Sequence, residues 1–392
     1  MSNNNSYTFF VLILAVCLTQ VASDVYAPAL PAIVEDFDTT IDNVQFSMAI
    51  YMIGAAVSQL FYGPLSEVVG RKPPMIFGLF LMIIGCGICL VPQIEILVIG
   101  RFVQGCGAGA CASLWRSIFR DKYTGAELAK LGSYLGTFIM FITPAAPVLG
   151  GYLEQFFGWY ANFIFMIIYS IVALLALIFK FEETNKNHHI SNLSLKMVYS
   201  SYAVLLKSPV FVSITLCTFL SYGATFSWFV CTPMLLISKV GVEPSKFGWI
   251  LCFTAGAGYG MASVLNVRLV KDLGMHFMLN MGFGLMLLSG SLMIILNLIL
   301  GLNITAITLP MFIFFFGSTF IWPNAYSIAF SPFGHIAGYA GALYGFIQLS
   351  GAGIISGIIS YLPDDNAYIL GSVIVLSSFI SLLVHQQVKY TR

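Results

Sequence analysis

Charge is what this chain has least of. Asp, Glu, Lys and Arg together make up 8% of its 392 residues, against 59% hydrophobic ones. Soluble globular domains carry about 25% charged residues and under half apolar ones. This chain cannot coat an aqueous surface and needs lipid as its solvent. Opposite charges nearly cancel to +1 with no basic run, so nucleic acid is not an expected partner. No Lys or Arg precedes Arg71, so the apolar N-terminus lacks the positive region of a cleaved signal. It reads as an uncleaved first span. Catalytic patterns are missing as well: no span carries paired carboxylates, an H-E-x-x-H motif or a Ser/His/Asp set, and no enzyme is expected. His188, His189, His276, His335 and His385 fall in loops or near span ends and form no metal cluster. Cys86 and Cys89 make a C-x-x-C pair with neither a second pair nor a nearby His to complete a zinc site. Neither metal nor cofactor is expected.

Long apolar runs are what the chain has in abundance. A bilayer core takes roughly 20 apolar residues per helix, which places spans at 8–33, 44–64, 74–92, 96–118, 129–153, 159–181, 209–237, 247–268, 276–300, 304–330, 338–361 and 367–386. The fold class is therefore an all-α membrane protein of twelve transmembrane helices in two six-helix bundles. Residues 1–181 form the first bundle, 182–207 a polar linker, and 208–392 the second. With the N-terminus in the cytoplasm, only Lys239 and Lys246 lie outside and Arg101 within a span; every other Lys and Arg lies inside or at that edge. That asymmetry follows the positive-inside rule. Both termini are then cytoplasmic. Two six-helix halves joined by a polar linker is the layout of a transporter that rocks about a midplane site.

Asp24 is the one carboxylate deep in a span. A carboxylate there must be paired, hydrated or protonated, which suits a group that takes and releases a proton; a neutral, hydrogen-bonded Asp in a helix contact is the plainer reading. Arg101 enters the fourth span at a similar depth and is its candidate partner, or else holds loop carbonyls. Gln20 lies one turn before Asp24, and Gln104 three residues after Arg101, so each pair shares a helical face. Asn324 and Gln348 also sit in spans. Tyr26, Tyr51, Tyr222, Trp228 and Trp322 are candidate cavity walls, each equally able to be packing.

Several segments then resemble a known family. Gly63-Pro64-Leu65-Ser66-Glu67-Val68-Val69-Gly70-Arg71-Lys72 resembles the loop signature of the major facilitator superfamily, with Glu67 in place of the usual Asp and Val68 in place of a basic residue. Arg101-Phe102-Val103-Gln104-Gly105 resembles its fourth-helix motif. Asp24-Val25-Tyr26-Ala27-Pro28-Ala29-Leu30-Pro31 is similar to the first helix of the bicyclomycin-resistance (Bcr/CflA) drug:proton antiporters, as are Arg120-Asp121 and Pro147-Val148-Leu149-Gly150-Gly151. The resemblance implies a loop that latches the two halves, a fifth helix bent at Pro144 and Pro147, and a monomer in a bacterial inner membrane. Ser133, Ile142 and Ala146 stand at glycine positions of the full antiporter motif. The implied function is proton-coupled export of small organic molecules, with Asp24 and Arg101 coupling the proton. The same residues leave open the transport of an endogenous metabolite, such as a siderophore or amino acid derivative, and a non-transporting membrane sensor.

Overall fold

The computed structural model describes residues 3–123, 125–185, 195–362 and 366–387, and their side chains except those of residues 3–8, 116, 120, 125–137, 139–141, 195–197, 334, 335 and 337. His188, His189 and Lys186 lie outside the described residues, and so do the side chains of Ser133, Arg116, Arg120 and His335. Among the described residues the fold is helical throughout. The first half holds α1 (Asn3–Asp24), the short α2 (Leu30–Asp36), α3 (Ile41–Val69), α4 (Lys72–Ile88), α5 (Ile94–Lys122), α6 (Gly125–Phe157) and α7 (Tyr160–Lys180). The second holds α9 (Pro209–Pro233), α10 (Pro244–Leu273), α11 (Met275–Leu300), α12 (Ile304–Phe330), α13 (Ala337–Ile359) and α14 (Tyr368–Gln387), with α8 (Leu195–Leu206) leading into it. Ten of the helical segments are long and apolar enough to cross a membrane, and the 17-residue Lys72–Ile88 is a shorter apolar helix. This is the helical course that the apolar runs predict for a multi-pass membrane protein.

Two expectations change. The first span is not one continuous helix: it stops at Asp24, passes through a 3-10 turn at Ala27–Ala29, and resumes as α2. The stretch between the halves is not polar throughout: its second part is the largely apolar helix Leu195–Leu206.

The halves carry a common turn. α3 ends at Gly70, with φ +90 and ψ 169, and α10 ends at Gly274, with φ +79 and ψ 159. L-residues rarely adopt that conformation, so both turns depend on glycine, and the next helix starts within two residues of each. In the first half, α5 lies against α3 at Gly105 and Gly109 and against α4 at Gly107, where the neighbouring helix backbone fills the place of a side chain.

Two seams join the halves. Along one, α3 packs on α13; along the other, α6 packs on α10. In the second seam Gly151 lies against the Pro244 carbonyl and Gly248 against the Pro147 carbonyl. α6 is at its end here and α10 at its start, so this close contact lies at the face of the bundle opposite the start of α6.

Candidate proton and substrate site

α1 ends at Asp24 because the ladder cannot continue. The Asp24 carbonyl needs the amide of residue 28, and Pro28 has none. The carboxylate thus stands at a helix break, wholly buried. Its Oδ2 accepts a hydrogen bond from Gln20 Nε2 at 3.1 Å. Its Oδ1 has no hydrogen-bond partner within bonding geometry among the described residues. Gly150 of α6 presses on the Val25 carbonyl directly after it, so α6 backs the break.

Arg101, also wholly buried, lies between two aromatic rings. Its guanidinium carbon is 4.4 Å from the Tyr26 ring centroid and 4.3 Å from that of Tyr51. Cations are held there by the ring quadrupoles. Nη1 donates to the Ala22 carbonyl at 3.2 Å and to Gln104 Oε1. Nε and Nη2 have no hydrogen-bond partner among the described residues. No ion pair joins Arg101 to Asp24 among the described residues. The expected pairing is replaced by rings and a helix-end carbonyl, since α1 turns away at its break and exposes that carbonyl to α5.

The rings are themselves tied down. Ser47 Oγ donates to the Val44 carbonyl, so the Tyr26 hydroxyl donates to Ser47, at 2.8 Å. The Tyr51 hydroxyl donates to the Thr19 carbonyl at 2.9 Å. Gln104, oriented by Arg101, turns its amide nitrogen toward Cys86 Sγ at 3.0 Å.

A cavity of about 180 Å³ lies between the halves, on the terminal side of the α6–α10 seam. Of the proposed cavity residues, Gln20, Tyr51 and Tyr222 line it. Trp322 stands behind Tyr222, ring centroids 5.5 Å apart. Tyr26 and Gln104 belong to the Arg101 cluster. Trp228 packs on Phe315 in the core of the second half. Asn324 donates to Asn266 and to the Phe320 carbonyl, both at 2.8 Å, which ties α12 to α10, and it is not among the described residues that line this cavity. Gln59, Trp115, Phe226 and Gln348 also line the cavity. The sequence holds a trace of this face: Tyr51, Ala55 and Gln59 recur every four residues along one side of α3, and all three line the cavity.

The loop motif forms a network at the terminal face. Arg71, only 2% exposed, pairs with Glu67 at 2.9 Å and Asp121 at 2.8 Å, and donates to Ser66 Oγ at 2.6 Å. The Glu183 carboxylate accepts from the amides of Arg71 and Lys72, at 2.8 and 2.9 Å, at the start of α4. Anions are favoured at a helix start. Lys72 Nζ donates to the Ile178 and Phe181 carbonyls at the end of α7, at 2.9 and 2.7 Å. These polar contacts stay inside the first half, while Gly63 lies against Ala342 of the second and the Glu67 charge is felt at Tyr339 there. The loop here braces α4, α5 and α7 to one another. α6 runs through Pro144 and Pro147 as one assigned helix.

Comparison with known proteins agrees with this architecture. The chain is 27% identical over 388 residues to a bicyclomycin resistance protein homolog of Haemophilus influenzae, covering 96% of each chain. It is 26% identical to multidrug resistance protein D of Escherichia coli, covering 97% of this chain and 95% of that one. The crystal structure of a D-xylose–proton symporter superposes with a TM-score of 0.75 at 15% identity, covering 97% of both chains. Residues 12–357 match the Major Facilitator Superfamily, and the chain belongs to that family of transporters.

Proposed function

We propose that this protein is a proton-coupled antiporter that exports small, largely apolar organic molecules by alternating access. The reading places it in a bacterial inner membrane with both termini in the cytoplasm. The observation that carries it is Asp24: a fully buried carboxylate with one oxygen open, one helical turn behind a glutamine that lines the cavity. The bicyclomycin and multidrug resistance names of the relatives support export of drug-like compounds. The excess of Lys and Arg on the terminal face supports the orientation.

A proton on Oδ1 removes the charge from Asp24 and lets the helix break rest in an apolar surround. Substrate entering beside Gln20 competes for the amide that holds Oδ2. Release of the proton leaves a carboxylate near an arginine whose Nε and Nη2 are unused, so Arg101 answers the charge within the first half. The two rings hold the guanidinium in place while Asp24 is neutral, so it needs no permanent counter-ion.

The test is proton flux in inside-out vesicles containing the wild type or Asp24→Asn. A pH gradient is imposed, and drugs, siderophores and amino acids are added one at a time. Dissipation of the gradient by particular compounds, lost in Asp24→Asn, is the expected result. Equal gradient responses in both proteins would assign Asp24 a structural role and end this mechanism.

A further inference from the structure

The cavity wall has a chemistry of its own. No Asp, Glu, Lys or Arg is among the described residues that line it. Polarity comes instead from amides and hydroxyls, and two of the amides stand out. Gln59 on α3 and Gln348 on α13 both line the cavity, one from each half, and neither has a hydrogen bond to protein among the described residues. Gln59 is 3% exposed and reaches α13 at Gly345, where a Cβ would collide with its Oε1. Gln348 is one turn further along α13 on the same face. The seam thus holds two unclaimed amides, with a third, Gln20, keeping its Nε2 on Asp24. The aromatic wall is supplied by Tyr51, Trp115, Tyr222 and Phe226, and the Tyr51 hydroxyl is already committed to Thr19.

We propose that Gln59 and Gln348 are the specificity-determining residues of this transporter. They form an amide pair, one from each half, that selects a neutral substrate joining an aromatic or apolar ring to an amide or paired hydroxyls. This rests on the reading of the protein as an exporter of small organic molecules and names the class. The physical reason is desolvation. A ligand entering the cavity displaces the water that solvates both amides, so a ligand without donors and acceptors leaves them unpaired at a cost in affinity. A cation faces a harder exclusion, since no lining carboxylate offsets the loss of its hydration. Asp24 does not serve, because Gln20 stands between it and the cavity. A ligand bonded to both glutamines also ties α3 to α13, which gives binding a direct grip on the seam that must move.

The experiment is equilibrium binding to the purified full-length protein in detergent, with radiolabelled chloramphenicol as the neutral aryl amide-diol and tetraphenylphosphonium as the hydrogen-bond-free cation. The variants are Gln59→Leu, Gln348→Leu and Gly345→Ala, each checked for an unchanged melting temperature. Gly345→Ala removes no polar group; it only displaces the Gln59 amide. Chloramphenicol is expected to bind the wild type, and roughly tenfold more weakly to each glutamine variant, the loss of one well-made hydrogen bond. Gly345→Ala should weaken it in the same direction. Tetraphenylphosphonium should bind none of the proteins more tightly than it binds empty detergent. Tight cation binding by the wild type would overturn the proposal. So would chloramphenicol binding that is absent in the wild type or equal across all four proteins. Binding is read without a proton gradient, so its outcome is independent of whether Asp24 carries the coupled proton.

Discussion

Arg101 donates to the main-chain carbonyl of Ala22 at 3.2 Å, joining α5 to the last turn of α1. The bond ties a buried cation to the helix that carries Asp24 without touching the carboxylate. The guanidinium is thus a brace of the break; under the proposed mechanism it becomes an electrostatic partner when Asp24 loses its proton. The rings of Tyr26 and Tyr51 make this possible, since both lie against the one guanidinium, 4.4 and 4.3 Å from its carbon.

Arg101→Lys should therefore be far from conservative. A lysine keeps the charge but has no planar fork to fill the gap between the rings while reaching both Ala22 and Gln104. The expected cost is about 1.5–3 kcal/mol, the value of a hydrogen bond to a charged group. It should appear as a lower melting temperature together with slowed transport. A variant as stable and as active as the wild type would show that the brace is dispensable.

The backing of the break by α6 makes a second prediction. Gly150→Ala puts a methyl group into the Val25 carbonyl, a backbone atom that cannot step aside. Overpacking of this kind costs about 1–3 kcal/mol, and transport should fall with it. Gly284→Ala is the control, since nothing lies within 4 Å of a Cβ there; helix propensity alone then makes it neutral or stabilising by up to about 1 kcal/mol. Thermal unfolding of the two variants should move in opposite directions.

At the terminal face, Glu183→Gln keeps the shape of the side chain but removes the charge that caps α4. The carboxamide keeps a single acceptor oxygen, so one of the two amide hydrogen bonds becomes neutral and the other is lost, and the expected loss is about 1–2 kcal/mol. Arg71→Lys should cost more, because one ammonium cannot reach Glu67, Asp121 and Ser66 together. Glu67 is 41% exposed, so most of that effect should come from Asp121 and Ser66. Melting curves of the single variants and of the double variant would check this ranking, with the arginine variant expected to unfold first.

The α6–α10 seam predicts a conformational bias. Gly248→Leu forces a side chain between α10 and the Pro147 carbonyl and should push the halves apart at the face away from the termini. Labelling of a cysteine placed at Ser245, buried against Gly151 in the seam, by a membrane-impermeant maleimide should speed up several-fold relative to the same cysteine in an otherwise native chain. Unchanged labelling would mean that the seam does not govern access from that face.

Composition and periodicity by themselves determined the lipid solvent, the helical class and most span positions, because a bilayer accepts little besides uninterrupted apolar helices. Asp24 was also legible, since a lone carboxylate in an apolar run announces itself by its cost. The break after it was present in the sequence as Pro28 and Pro31, yet an apolar count runs straight through a proline and so reads one span. Partners were not legible. Depth along two helices matched Arg101 to Asp24, but depth carries no azimuth, and only the packing of α1, α3 and α5 turned the guanidinium onto Tyr26, Tyr51 and Ala22. The cavity wall was hidden for the same reason. Trp228 and Trp115 are both tryptophans in apolar helices, and which one meets the core and which the cavity is set by helix rotation. Rotation follows from contacts between helices far apart in the chain. In lipid the hydrophobic effect does not distinguish one apolar face from another, so those contacts, and with them the site, were decided by the tertiary structure alone.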